Sequence, residues 1–290
     1  MISSSRATVT RFAPSPTGRL HLGHAYSAML AHDFARERGG RFLLRIEDID
    51  PGRTREEHVR GIEEDLDWLG LRWDEPPVRQ SARLPRYDAA LERLKALGLV
   101  YPCFCTRAEI AASAVAPHGN EGPLYPGTCR ALPPTERAQR LAADAHCWRL
   151  DMHAASARAG ALQWRDAAAG TVIAEPETLG DVVLARKDAP TSYHLAVTVD
   201  DAAQGVTDIV RGVDLFAATH VHRLLQALLG LPTPDYHHHP LLTAPDGSRL
   251  AKRAGSPALA EYRKAGMDPG TLLAALRRGT PLPPPPGRPT

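Results

Sequence analysis

The opening stretch of about 70 residues constrains the fold most. Thr8 to Ala13 (TVTRFA) reads as a short strand that runs into the rigid turn Pro14-Ser15-Pro16-Thr17-Gly18. Leu22, Tyr26, Met29, Leu30 and Phe34 then recur at helical spacing between about Leu22 and Arg38, and Gly39-Gly40 stops the helix. Arg41 to Ile46 (RFLLRI) is apolar enough to lie centrally in a sheet, and Arg55 to Leu69 reads as a second helix with acids on its solvent face. Parallel strands need a crossover, so strand, helix, strand, helix in this span predicts an α/β fold with a doubly wound, Rossmann-like parallel sheet.

The character changes at Tyr101. The stretch to about Leu184 is rich in Ala, Pro and Gly, reads as short-stranded and holds all four cysteines, as expected of an insertion. Alternating HLAVTVDD (His194 to Asp201) predicts a return to strand, and DIVRGVDL (Asp208 to Leu215) another. A helix is expected from about Ala217 to Leu229, and two short helices between Ala258 and Arg278, around Asp268-Pro269. PLPPPPGRPT reads as an extended, disordered tail. The expected division is therefore 1–100 and 191–245 as two halves of one sheet domain, 101–190 as an inserted subdomain, 246–280 as a loop with short helices, and 281–290 as tail.

Composition narrows the class. Of 290 residues, 43% are hydrophobic, enough for a sizeable core. Lys plus Arg is 35 against 33 Asp plus Glu, a net charge of +2, so a nucleic-acid partner requires a local basic face and not a basic total. No apolar run approaches the ~20 residues that span a bilayer, and MISSSRATVT lacks the apolar stretch of a secretory signal. A cytoplasmic, monomeric protein with no membrane partner is the expectation.

His21-Leu22-Gly23-His24 opens the first helix directly after the first strand. Two histidines three apart share one face of a helical turn. The helix N-terminus favours phosphate, Gly23 leaves room for a flat base, and imidazoles can donate to phosphate oxygens as charge builds. By itself this four-residue pattern is equally consistent with a helix that happens to begin with two histidines.

The flanking residues decide between the two. RFAPSPTGRLHLGH with RIEDIDPGR (Arg45 to Arg53), then YHLAVTVDD from Tyr193, IVRGVDL and Ser248-Arg249-Leu250-Ala251-Lys252, resembles glutamyl-tRNA synthetases and their shortened paralogues over most of residues 8 to 260. The resemblance implies ATP-dependent activation of L-glutamate, with His21, Gly23, His24 and Lys252 at ATP and with Mg2+ accompanying the nucleotide. His21, His24 and Lys252 would be the catalytic groups. It further implies that Arg11, Phe12, Ala13, Pro14, Ser15, Glu47, Tyr193 and Arg211 form the glutamate pocket. Those roles make physical sense: glutamate carries two carboxylates and one ammonium, Arg11 and Arg211 can each clamp a carboxylate, and Glu47 can face the ammonium. For Glu47 alone the bland alternative is an acid paired with Arg45, and for either arginine a surface salt bridge. The family's lysine loop departs here: Arg249-Leu250-Ala251-Lys252-Arg253 keeps the second lysine but has arginine for the first and alanine for the serine.

Cys103, Cys105 and Cys129 are three thiols spaced to suit a tetrahedral structural zinc site. Chemistry alone leaves His118, His146 or Cys147 as the fourth ligand, whereas the resemblance, C-x-C followed by Y-x3-C, selects Tyr125. Cys147 in the alternating HCWRLDM reads more simply as a buried free thiol. His237-His238-His239 on a strand would point to alternate faces, so one shared ion is not expected. His238 matches a histidine near the nucleotide in relatives, and strand packing is an equal alternative.

Only 38 residues follow Lys252. The resemblance is therefore to the paralogues without an anticodon-binding domain, the glutamyl-queuosine tRNA(Asp) synthetases. They place glutamate on the queuosine base of the tRNA(Asp) anticodon, with basic residues of the insertion and loop as candidate phosphate contacts. A minimal glutamyl-tRNA synthetase charging the acceptor end, and a non-catalytic glutamate- or tRNA-binding paralogue, are the alternatives.

Overall fold

The structure, a computed structural model, describes residues 6–106, 108–110, 124–242 and 257–279. The Lys252 loop, His118 and the proline-rich tail lie outside the described residues.

Strand β1 (Val9–Phe12) leads through the proline turn into helix α1 (Leu22–Glu37), which returns along β2 (Arg41–Ile46). β1 and β2 pair in parallel from Val9 with Arg41 to Phe12 with Leu44. Gly39 adopts φ 61°, a left-handed conformation that costs L side chains energy, and Gly40 packs so closely on the Thr8 carbonyl that a Cβ there would clash. Helix α2 (Glu56–Leu69) follows and β3 (Val78–Arg79) adds to β2, also in parallel. α1 lays Ala25, Ala28, Met29 and Ala35 against Phe42, Leu44 and Ile46 of β2 and Val59, Ile62 and Leu66 of α2. Small residues on the buried face let the helix approach the strands closely.

Helix α3 (Leu84–Ala96) leads to β4 (Val100–Cys103), followed by α4 (Pro134–Ala143), β5 (Cys147–Leu150), α5 (Met152–Ala159), β6 (Gln163–Asp166), β7 (Gly170–Ile173) and β8 (Val183–Ala185). β4, β5 and β8 form a separate antiparallel sheet. The stretch is therefore less uniformly stranded than its sequence suggests. α4 (PTERAQRLAA) is built on good helix formers behind an N-terminal proline, and α5 is capped by Asp151 accepting from Ala154 N. The β6–β7 hairpin belongs with a different sheet: β6 pairs with β10 (Asp235–His239), which runs parallel to β9 (Asp208–Gly212).

The segment expected to be a strand at His194 to Asp201 is instead helix α6 (Tyr193–Ala203). Leu195, Ala196, Val197 and Thr198 are all buried, so the alternation in sequence does not mark one buried and one exposed face. They suit a helix enclosed between α3 and α7 (Phe216–Leu229). Thr198 Oγ1 donates to the His194 carbonyl at 2.8 Å, which satisfies its hydroxyl inside the helix. Thr207 N donates to Val9 O at 2.9 Å, bringing β9 beside β1. Helices α8 (Leu259–Lys264) and α9 (Pro269–Arg278) close the α1–α2 side with Leu259, Tyr262, Leu272 and Leu276. Among the described residues, no helix is long and apolar enough to cross a membrane.

Candidate active site

A cleft of about 600 Å³ opens where the C-terminal ends of β1, β2 and β9 meet the start of α1 and α6. In parallel sheets these strand ends are where ligands bind. Arg11, Phe12, Ala13, Pro14, Ser15, His21, Gly23, His24, Glu47, Tyr193 and Arg211 all line it. Thus every described residue expected at glutamate or ATP is brought to one cavity from four separate stretches of sequence.

The two histidines form a compact unit. Nδ1 of His21 accepts from Gly23 N at 3.1 Å, Nδ1 of His24 accepts from His21 N at 3.2 Å, and the ring centroids are 3.8 Å apart. With Nδ1 accepting in both rings, the ring proton sits on Nε2. The cap also consumes the Gly23 N–H, so at that position phosphate would meet an imidazole N–H in place of the backbone donor expected from sequence. The start of α8 is pinned to the same turn, with Leu259 N donating to Leu20 O at 2.8 Å.

The charged wall is buried. Arg11 Nε donates to Asp201 Oδ1 at 3.0 Å. Arg211 donates from Nη2 to Thr219 Oγ1 at 2.6 Å, from Nη1 to Tyr193 OH at 3.3 Å and from Nε to His238 Nε2 at 3.2 Å. Glu47 lines the cleft and also accepts from Arg45 Nη2 at 3.3 Å, so the pairing with Arg45 and the place in the pocket coexist. Burial raises the Glu47 carboxyl above its ordinary value even though Arg45 and Arg11 pull it down. A cation beside it would be welcome there.

Several pocket residues escaped sequence reading. Asp201 and Arg45 stand behind the wall, and Tyr26, Ser27, Asp214 and His239 are among the further residues of the lining. Asp201 lay inside the YHLAVTVDD motif, but residue type alone does not say which partners a buried acid will find. On helix α6 the pair diverges: Asp200 takes Gln80, Arg83 and Tyr87 from the α3 side, and Asp201 takes Arg11 and Arg45 from the sheet. The three consecutive histidines of β10 have three different partners, as alternation requires. His237 meets Asp208, His238 meets Asp166, and His239 meets Ser27. His238 is buried behind Arg211, and it is His239 that reaches the cleft.

The cysteine cluster lies apart, in the antiparallel sheet. The thiols of Cys103, Cys105 and Cys129 all lie within 4.8 Å of one another and none is in a disulfide. Cys105 Sγ is 3.5 Å from Cys129 Sγ and 3.7 Å from Tyr125 OH, which accepts from Cys129 N at 2.8 Å. Three soft donors gathered in a largely buried pocket fit a tetrahedral metal. Cys147 faces Cys103 across the β4–β5 pairing, outside the three-thiol group. His146 turns elsewhere, with Nδ1 at 3.2 Å from Asp144 O and its ring against Trp148.

Residues 7–283 match the family described as tRNA synthetases class I (E and Q), catalytic domain, and the chain belongs to that family. Within it, the chain is similar to a glutamyl-Q tRNA(Asp) synthetase of Rhodobacter capsulatus, 51% identical over 91% of this chain and 98% of the relative. A protein of the same name from Symbiobacterium thermophilum is 47% identical over 92% of this chain and 84% of its own. Glutamate–tRNA ligase 1 of Ruegeria pomeroyi is 40% identical, with 93% of this chain matching 60% of that one. A solved glutamate–tRNA synthetase from Elizabethkingia anophelis superposes with a TM-score of 0.73 at 31% identity; the chain spans 53% of its length.

Proposed function

We propose that this chain activates L-glutamate with ATP to glutamyl-adenylate and transfers the glutamyl group to the queuosine base in the anticodon of tRNA(Asp). The observation that carries the first step is the cleft itself: two buried guanidinium groups and one buried carboxylate face a cavity that also holds the His21–His24 pair. Arg11 and Arg211 take the substrate carboxylates, Glu47 takes the ammonium, and Tyr193 adds a hydroxyl beside Arg211. An oxygen of the α-carboxylate attacks the α-phosphorus of ATP, and pyrophosphate leaves. The Nε2–H groups of His21 and His24 donate to phosphate oxygens as charge develops, and Lys252 shares that charge; Mg2+ bound with the nucleotide would neutralise part of it. A hydroxyl of the queuosine cyclopentenediol then attacks the acyl carbon, the acyl–phosphate bond breaks, and AMP leaves with the hydroxyl proton passing to its phosphate or to water.

The acceptor reading is supported by the names of the more similar relatives and by Tyr125 standing at the three-thiol cluster. In this reading Cys103, Cys105, Tyr125 and Cys129 hold one structural zinc that fixes the antiparallel sheet. We also read the sheets of β3, β2, β1 and β9, β10, β6 as one doubly wound unit, with 101–190 inserted between its halves except for the β6–β7 hairpin. Charging of tRNA(Asp) with and without queuosine tests the acceptor. Label on the queuosine-bearing tRNA alone is the expected result, and equal labelling of both would overturn it. Absence of glutamate-dependent pyrophosphate exchange would overturn the first step as well and leave a non-catalytic binding paralogue.

A further inference from the structure

Asp201 is 3% exposed and lies behind the cleft, yet two guanidinium groups from two different strands converge on it. Its Oδ1 accepts from Arg11 Nε at 3.0 Å and from Arg45 Nη1 at 2.7 Å. Arg45 is fully buried, also reaches Gln204 Oε1 at 3.0 Å, and carries the series onward to Glu47 at 3.3 Å. Charges alternate along Arg11, Asp201, Arg45 and Glu47, and only the two ends line the cleft.

One oxygen shared by two arginines fixes where each can sit. Arg11 lies on β1 and Glu47 just past the end of β2, and the series through Asp201 and Arg45 ties one to the other, so the two buried charges between them set their separation. Burial alone would raise the Asp201 carboxyl, but Arg11 and Arg45 together hold it below the usual range, consistent with a carboxylate that stays charged between them. We propose that Asp201 is a positioning residue that locks Arg11 and, through Arg45, Glu47 into one preset pair of opposite charges for the amino acid. It acts on substrate only through those side chains. The inference rests on the reading of the cleft as a glutamate site. Helix α6 supplies both Tyr193 at its start and Asp201 two turns later, so one helix links the Arg211 side of the cleft, through Tyr193, to the Arg11 side, through Asp201.

Glutamate-dependent pyrophosphate exchange by the full chain tests this, with Asp201→Asn compared against the unaltered protein. The KM for glutamate should rise roughly tenfold or more while the KM for ATP stays within about twofold, since the nucleotide end is untouched. Adding Asp201→Asn to Arg11→Lys should raise the glutamate KM less than it does alone, because part of its route is already cut. Asp201→Glu keeps the charge but displaces it by one methylene, and should raise the glutamate KM in the same direction if Asp201→Asn does not fold. An unchanged glutamate KM in whichever variant folds, parallel rises in both KM values, or full additivity with Arg11→Lys would each overturn the inference. No exchange by the unaltered chain would instead remove the glutamate reading and this inference together.

Discussion

Nε2 of His238 accepts the Nε proton of Arg211 at 3.2 Å, while Nδ1 of the same ring lies 2.8 Å from Asp166 Oδ2. The carboxylate fixes the tautomer: with the proton on Nδ1, Nε2 is left as the acceptor the guanidinium needs. Burial and the charge of Arg211 hold the His238 pKa down at about 4, so the ring stays neutral at ordinary pH.

His238→Ala should therefore loosen Arg211 without touching the nucleotide side. A hydrogen bond to a charged group is worth about 1.5–3 kcal/mol, so the KM for glutamate should rise about ten- to a hundredfold with the KM for ATP unaltered. Steady-state exchange kinetics measure both, and an equal change in the two constants would refute the assignment.

The thiol cluster predicts a metal-dependent fold for the antiparallel sheet. Cys103→Ser should lower zinc content from about one equivalent per chain to near zero and depress thermal stability. Tyr125→Phe should weaken zinc retention against a chelator, whereas Cys147→Ala should not. Metal analysis after dialysis reads all three, and retention by Tyr125→Phe together with loss by Cys147→Ala would move the fourth ligand to Cys147.

Asp65 is fully buried on α2, and neither of its oxygens has a hydrogen-bond partner; Arg263 approaches only to 3.5 Å. Burial raises its pKa from 3.8 to about 6, against the pull of Arg263 and Arg19. An acid raised on folding favours the native state fully below its unfolded value, and that contribution is lost as pH climbs through about 6. Asp65→Asn removes the dependence. Its stability relative to the unaltered chain should improve by about 1.4 kcal/mol between pH 5 and pH 8. Urea denaturation at the two pH values measures this, and a difference of opposite sign would exclude a destabilising charge at Asp65.

Lys252→Ala should slow adenylate formation by orders of magnitude and leave glutamate affinity nearly constant, since the lysine is assigned to the triphosphate and not to the amino acid. Single-turnover adenylate formation with glutamate binding measured separately distinguishes the two. A normal rate would remove Lys252 from the reaction.

The sequence by itself determined the elements whose periodicity is unambiguous and the residues that carry chemistry. RFLLRI is the central strand expected and the helix opened by HLGH ends at Glu37, just before Gly39-Gly40, whereas Arg11, Glu47, Tyr193 and Arg211 became candidates for one pocket only through the resemblance of their motifs to a known family. These signals are local: apolar spacing, a turn, a glycine, a functional group. What only the tertiary structure decided is whatever depends on surroundings. HLAVTVDD alternates like a strand, yet becomes α6, which α3 and α7 enclose from both sides, and only the packed helix shows that Asp200 meets Gln80, Arg83 and Tyr87 while Asp201 meets Arg11 and Arg45. The support of Arg11 by Asp201 spans 190 residues, that of Arg211 by His238 spans 27, and no spacing rule links either pair. The candidate groups of the cleft followed from residue type and from motif resemblance. The groups that hold them in place follow from packing, which fixes hydrogen-bond partners only once the chain has folded.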